Sequence, residues 1–272
     1  MALTKEQVAQ YTENLKDFKA YIEDLKKEVS LYKAQMKKAN NKSLDPYYQI
    51  ALVLNSVKLI NTCYNINEIS QISRNLKAED YLNIARKEIY AVLSAMEKIV
   101  GNDYENGLDE NRELLDAILE INPLQRLNFL KAFRKSIINI IEAYGANSKW
   151  KWSWPEIYFK YSVLAKNFYD FRTAEKENQL DNPYYYVRKE HYNLIIEMAN
   201  LTAQEYRSKF DLSTNDTADL KKSIAMLEMN RKIFQITGNT EDLDKTKTLI
   251  DALTNKVEQI EEEKSNPKKK KK

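Results

Sequence analysis

Residues 8–36 read VAQYTENLKDFKAYIEDLKKEVSLYKAQM, and this stretch decides the fold class. Its apolar residues recur at alternating steps of three and four, from Val8 and Tyr11 through to Tyr32 and Met36. Such spacing is the heptad seam of a long amphipathic helix, sustained here over about four heptads. A helix from about Thr4 to Lys38 would span roughly 50 Å, so we expect an elongated molecule.

Helical periodicity continues along the rest of the chain, and proline and glycine mark where each helix begins and ends. Asp45-Pro46, Asn122-Pro123 and Asn182-Pro183 each place proline after a residue type that caps helices well. All four glycines follow periodic segments, where a C-terminal cap belongs. We predict nine helices, at 4–40, 46–61, 66–75, 78–100, 108–121, 123–145, 155–179, 183–210 and 214–264, the last broken near Gly238.

These helices predict an all-α protein, an elongated antiparallel helical bundle with long heptad-patterned helices. The clearest boundary lies at 146–154, where the chain leaves one helix and enters the next after Pro155. We therefore expect an N-terminal helical lobe at 1–145, a C-terminal helical lobe at 146–264 and a Lys-rich tail at 265–272.

Composition excludes several classes of enzyme. Only 4 of the 272 residues are glycine, which is too few for a glycine-rich phosphate loop. The carboxylate-bridged metal sites of helical bundles need two histidines, and this chain has only His191. Cys63 lies in an apolar run, so we expect a buried, inert thiol. We predict that the protein is not an enzyme and that it uses no cofactor and no metal.

The charge is concentrated at one end of the chain. Removing the five lysines Lys268–Lys272 from the net charge of +3 leaves −2. A body so nearly balanced argues against nucleic-acid binding, which usually needs a basic patch. The longest apolar stretch, 50–60, is interrupted by Lys58, so no membrane span is expected. No export signal is visible at the first residues.

Tyrosine is overused relative to what a helical core needs, with 18 Tyr against 8 Phe and 3 Trp. Tyrosine has an apolar ring and a polar tip, and it is enriched at protein interfaces. One interpretation is that the aromatic clusters seal the ends of the bundle; the other is that they form a protein interface. The candidate interface residues are Trp150, Trp152, Trp154, Tyr184, Tyr185, Tyr186, Tyr47 and Tyr48, and at least one indole should be exposed.

Three features together suggest a relationship: the motif Trp-Lys-Trp-Ser-Trp at 150–154, Asn-Pro-Tyr-Tyr-Tyr at 182–186, and the Lys-rich C-terminus. With its Tyr-rich, Lys-Asn-Ile-rich helical texture, the chain resembles the flagellar-coiling proteins of the spirochaete Leptospira. That resemblance implies a periplasmic sheath protein of the endoflagellum, which coats the filament and promotes its coiling for motility. Its implied partners are other sheath and core filament proteins and further copies of itself in a lattice.

Two alternatives stay open on the sequence. A helical surface protein that binds a host or protein ligand would share this composition, although Cys63 is too far inside the chain to be a lipid anchor. A cytosolic helical adaptor is the other, and a signal peptide upstream of Leu3 in the gene would exclude it.

Overall fold

The computed structural model describes residues 4–38 and 42–265, and within them the chain is helical without a strand. The all-α prediction is confirmed. The poly-lysine segment Lys268–Lys272 lies outside the described residues. The helices are α1 Lys5–Lys38, α2 Asp45–Arg74, α3 Glu79–Val100, α4 Arg112–Asp116, α5 Pro123–Tyr144, α6 Trp154–Asn167, α7 Phe171–Lys176, α8 Tyr185–Lys209, α9 Thr217–Thr237 and α10 Thr240–Ser265.

The chain divides into two compact units. Unit 1 comprises Met1–Gly101 and Glu113–Lys151, and unit 2 comprises Asn102–Arg112 and Trp152–Lys272. The segment Asn102–Arg112 belongs to unit 2 although it lies in the N-terminal half of the sequence. A single boundary near residue 146 does not predict this assignment.

In unit 1, α1 and α2 form an antiparallel pair. Tyr11, near the start of α1, lies under the Arg74 guanidinium at the end of α2, with 3.9 Å from the guanidinium carbon to the ring centroid. Leu15 of the heptad seam is buried together with Ile66 of α2, and Phe18 packs beside them. The seam thus holds α1 onto α2, as its period predicts. On its other sides α2 packs against α3 and α5.

In unit 2, α8 lies between α6 and α9, and α10 packs on α9. Hydroxyl groups join these helices: Ser162 of α6 lies 2.9 Å from the Thr202 hydroxyl of α8, and Ser223 of α9 donates to the Ala203 carbonyl at 2.8 Å. The Thr217 hydroxyl at the start of α9 donates to Glu261 near the end of α10 at 3.0 Å, which makes this pair antiparallel. Small polar side chains therefore allow close helix contact without leaving these buried hydroxyls unbonded.

Several predicted helix ends are confirmed. The Asn122 side chain accepts from the Gln125 N–H while the Gln125 side chain accepts from the Asn122 N–H, a complete capping box for α5. Gly101, Gly145 and Gly238 follow α3, α5 and α9 with positive φ. Because side chains disfavour positive φ, glycine is well suited to these three positions.

Other predicted ends are wrong. Asp45 is the first residue of α2 and not its cap, and α8 begins at Tyr185, two residues after Pro183. Gly107 lies in a loop and caps no helix.

Three predicted helices differ in extent. The predicted break after residue 61 is absent, because α2 continues through the buried residues Thr62 and Cys63 to Arg74. The predicted helix at 108–121 shrinks to the five residues of α4, followed by turns. The predicted helix at 155–179 is interrupted after Asn167, where Asp170 caps a new helix by accepting from the Thr173 N–H at 2.9 Å.

Candidate protein-interaction surface

The tyrosine triplet lies at the start of α8. The Asn182 side-chain oxygen accepts from the Tyr184 N–H at 2.9 Å, a turn that sets the direction of the helix. Tyr184 and Tyr185 are half-buried, whereas Tyr186 is 71% exposed. The rings of Tyr185 and Tyr186 meet edge to face, with centroids 5.1 Å apart. The triplet therefore presents one exposed ring supported by a neighbouring ring.

Beside Tyr185 lies a groove of about 460 Å³, which we call the tyrosine groove. It is bounded by the connection between α6 and α7, by the first turns of α8 and by the end of α9. Its charged lining residues are two acids and two bases, Glu175, Glu177, Arg188 and Lys189. Its aromatic walls are Tyr169, Phe171, Tyr185 and Tyr192.

A buried ring, Tyr169, lines the tyrosine groove, and His191 packs against it. Tyr169 is 8% exposed and meets the ring of His191 edge to face at 5.0 Å. His191 is 3% exposed, and its Nε2 lies 2.9 Å from the Ala165 carbonyl, so Nε2 carries the proton and donates. Burial raises the pKa of Tyr169 to about 12. Its hydroxyl consequently stays protonated at neutral pH and can act as a hydrogen-bond donor.

Charged and polar contacts fix the rim. Arg188 on α8 donates to the Glu177 carboxylate at 2.6 Å, and the Asn182 side-chain amide donates to the same oxygen at 3.2 Å. Tyr192 and Thr237 place their hydroxyls 3.1 Å apart, which links α8 to the end of α9. Since the rim is cross-linked on both sides, the aromatic walls keep their spacing.

The tryptophan segment 150–154 does not form one surface. Trp154 is 4% exposed and belongs to the core of unit 2, so this candidate interface residue offers no exposed contact area. Trp152 is half-buried in the same unit. Trp150 belongs to unit 1, where the Arg86 guanidinium covers its ring at 3.7 Å. The expectation of an exposed indole is wrong, because even Trp150 and Trp152 are half-buried.

Tyr47 and Tyr48 lie at the start of α2 and are both half-buried. The Tyr47 hydroxyl accepts from the Glu120 N–H at 3.4 Å, next to exposed Leu119. This contact places Tyr47 beside the turns that follow α4. Tyr47 therefore connects the start of α2 to the turns after α4, the kind of contact expected if the aromatic clusters seal the ends of the bundle.

The groups with potential reactivity are held in structural roles. Cys63 is fully buried, and burial raises the pKa of its thiol to about 12. Lys166 is buried and donates to the Asp103 carbonyl at 2.9 Å. Burial lowers the pKa of Lys166, while Asp103 opposes that effect. Over residues 4–38 and 42–265, no group of three or more His, Cys, Asp or Glu side chains could hold a metal, and no helix is long and apolar enough to cross a membrane.

Sequence reasoning found Tyr185 but not the groove beside it. Tyr169 and Phe171 come to the groove because the chain turns between α6 and α7, whereas the sequence predicted one unbroken helix there. The signal that could have located this turn is Asp170, a residue type that caps helix N-termini, inside a periodic segment.

Comparisons with known proteins give one match. The sequence model described as the TP0443 family matches residues 7–261. No curated protein and no solved structure matches the chain.

Proposed function

The chain belongs to the TP0443 family, a spirochaete-type protein family, and on that premise we propose that it is a structural protein that acts by contacts with other proteins and not by catalysis. The observation that carries this proposal is the exposed ring of Tyr186, which meets edge to face the ring of Tyr185 in the wall of the tyrosine groove. Exposed tyrosine rings provide rigid contact area at a low cost in conformational entropy, which suits them to protein recognition.

The state of the reactive side chains supports a role without chemistry. A thiol whose pKa is near 12 is almost entirely protonated at neutral pH, so Cys63 is a poor nucleophile. His191 is buried and engaged with the Ala165 carbonyl. Cys63 and His191 thus both have packing roles.

More specifically, we propose a sheath component of the spirochaete periplasmic flagellum that coats the filament and promotes its curvature. The support is the resemblance at 150–154 and 182–186 together with the spirochaete-type family. A sheath subunit repeats its contacts many times along a filament. Avidity then allows each individual interface to be weak.

Cell fractionation tests this function. Periplasmic flagella purified from the organism that encodes the protein should contain it in amounts comparable to the filament subunits. Deletion of the gene should leave filaments that are straighter under the electron microscope. Recovery of the protein in the soluble cytosol, with flagella of normal composition and curvature in the deletion strain, would contradict the proposal.

A further inference from the structure

Residues Asn102–Arg112, which run from the end of α3 to the first residue of α4, belong to unit 2; we call them the strap. Both parts of the strap are fastened at the end of α6. The Lys166 ammonium donates to the Asp103 carbonyl at 2.9 Å and lies 3.5 Å from the Asp103 carboxylate. The Asn111 side-chain amide donates to the Asn167 carbonyl at 2.6 Å. Since Lys166 and Asn167 are adjacent, the strap forms a loop that is closed on one turn of unit 2.

These fastenings are polar and buried. Lys166 and Asn111 are both among the buried residues of the chain. A buried ammonium is costly unless it is paired and hydrogen-bonded. Asp103 supplies Lys166 with both a carbonyl acceptor and a negative charge, so the charge of Lys166 is compensated while the strap is closed.

Between its fastened ends the strap packs discontinuously on unit 2. Tyr104 meets Phe159 of α6 edge to face, with ring centroids 5.0 Å apart, and Leu108 is buried. Lys232 of α9 donates to the Glu105 carbonyl. Two cavities, of about 350 Å³ and about 260 Å³, are lined by Lys232 and by successive parts of the strap. Such packing is typical of a segment that opens more readily than the helices beneath it.

The strap also holds the turn that carries part of the wall of the tyrosine groove. Arg112, its last residue, donates from one nitrogen to both carboxylate oxygens of Asp170, at 3.0 and 3.2 Å. Asp170 caps α7 and lies between Tyr169 and Phe171, two of the aromatic residues that line the groove. The strap therefore binds this turn twice, at the Asn167 carbonyl and at the Asp170 carboxylate.

We propose that the strap is a conformational latch for the tyrosine groove. When closed, it holds Tyr169 and Phe171 in the groove wall; when released, it frees the turn that carries them while α8 keeps its packing. The strap and the groove are coupled because the residues that bind the strap are the immediate neighbours of the residues that form the wall. The biological use of this latch rests on the proposed function, since it regulates the candidate interaction surface. The coupling itself is a property of unit 2.

Hydrogen–deuterium exchange of the full chain, read by mass spectrometry, tests the latch. Asn111→Ala and Arg112→Ala each remove one fastening. Each substitution should speed exchange at residues 168–174, whose sequence it leaves unchanged, about three- to tenfold, the range for one lost hydrogen bond. Exchange at residues 194–206 of α8 should stay at the wild-type rate.

Arg172→Ala is the matched control, because Arg172 is an exposed arginine on α7, outside the strap. Its strap should exchange as the wild type does. Wild-type exchange at residues 168–174 in both strap variants, equal acceleration throughout α8, or faster exchange of the strap in Arg172→Ala would each overturn the latch. Co-sedimentation with purified flagella is measured separately. Absent coupling with normal recovery on flagella would remove the latch and leave the sheath function standing, whereas coupling without recovery on flagella would do the reverse.

Discussion

Trp150 and Trp154 are four positions apart in the sequence, yet their surroundings differ. The Trp150 ring is covered by Arg86 and stays half-buried, whereas Trp154 is enclosed in the core of unit 2. Alternation with Lys151 and Ser153 suggested solvent exposure, but this local pattern cannot reveal a cation above one ring or a core around the other. Whether an aromatic side chain is buried or exposed therefore depends on neighbours that are distant in the sequence.

Substitution of these tryptophans should separate the two environments. Trp154→Ala should lower the free energy of unfolding by about 3–5 kcal/mol, the usual cost of a large core deletion. Trp150→Ala should cost less, about 1–2 kcal/mol, chiefly through loss of its partly exposed cation–π contact with Arg86. Urea denaturation followed by circular dichroism measures both values. Equal losses would show that Trp150 is as much a core residue as Trp154.

Tyr186 offers the opposite case, an exposed ring with little to lose on truncation. Tyr186→Ala should change the free energy of unfolding by less than about 0.5 kcal/mol and reduce co-sedimentation with purified flagella, because an interface anchor typically contributes about 2 kcal/mol or more. Phe168→Ala serves as a stability control, since Phe168 is buried and should cost about 3–5 kcal/mol. Full co-sedimentation of Tyr186→Ala would move the interface away from this ring.

At the scale of helices, the sequence predicted helix ends correctly where a single capping residue or glycine fixes the backbone conformation. It failed where packing against other helices determines whether a helix continues. Asn122-Pro123 and Gly145 mark α5 to within a residue, because capping and positive φ are local requirements. The predicted interruption of α2 after residue 61 fails because burial of Thr62 and Cys63 outweighs their modest helix propensity. The interruption after Asn167 was missed because its apolar residues keep the helical period through the turn.

A polar cluster that joins three helices makes a pH-dependent contribution to unit 2. Glu156 of α6 accepts from the Tyr206 hydroxyl of α8 at 2.7 Å and pairs with Lys222 of α9. Burial alone would raise the pKa of Glu156, but the hydrogen bonds from Lys222 and Tyr206 outweigh it, so the pKa lies below its ordinary value of 4.5. This stabilisation is present above that ordinary value and is lost as the pH falls through the lowered one.

Glu156→Gln should therefore cost about 1–2 kcal/mol at pH 7, a modest value because the pair is partly exposed. Between pH 7 and pH 3 the variant should lose less stability than the wild type, since the titrating carboxylate is gone. Thermal unfolding across this range measures the difference. Parallel stability curves for the two proteins would exclude a contribution from this carboxylate.

At the scale of the whole molecule, the candidate site is assembled from parts of the chain that no short motif connects. Tyr169, Tyr185, Tyr192 and Thr237 meet only because α6, α8 and α9 pack together in unit 2. The sequence identifies Tyr185 as a candidate because it lies in a run of three tyrosines. It could not find Tyr169, which reaches the groove only because the chain turns between α6 and α7.

Under the proposed sheath function, the charge of the whole chain predicts how binding to flagella should respond to salt. The net charge is +3 with the five terminal lysines and −2 without them, so Coulomb attraction from the rest of the chain to any one charge sign is weak. If aromatic contacts dominate, co-sedimentation with flagella should persist from about 0.1 M to about 1 M salt, which shortens the Debye length from about 10 Å to about 3 Å. A chain lacking Lys268–Lys272 should then sediment equally well at both concentrations. Two results would assign the attachment to the terminal lysines and not to the tyrosines at 184–186. They are release of the full chain at high salt and poor binding of the shortened chain at low salt.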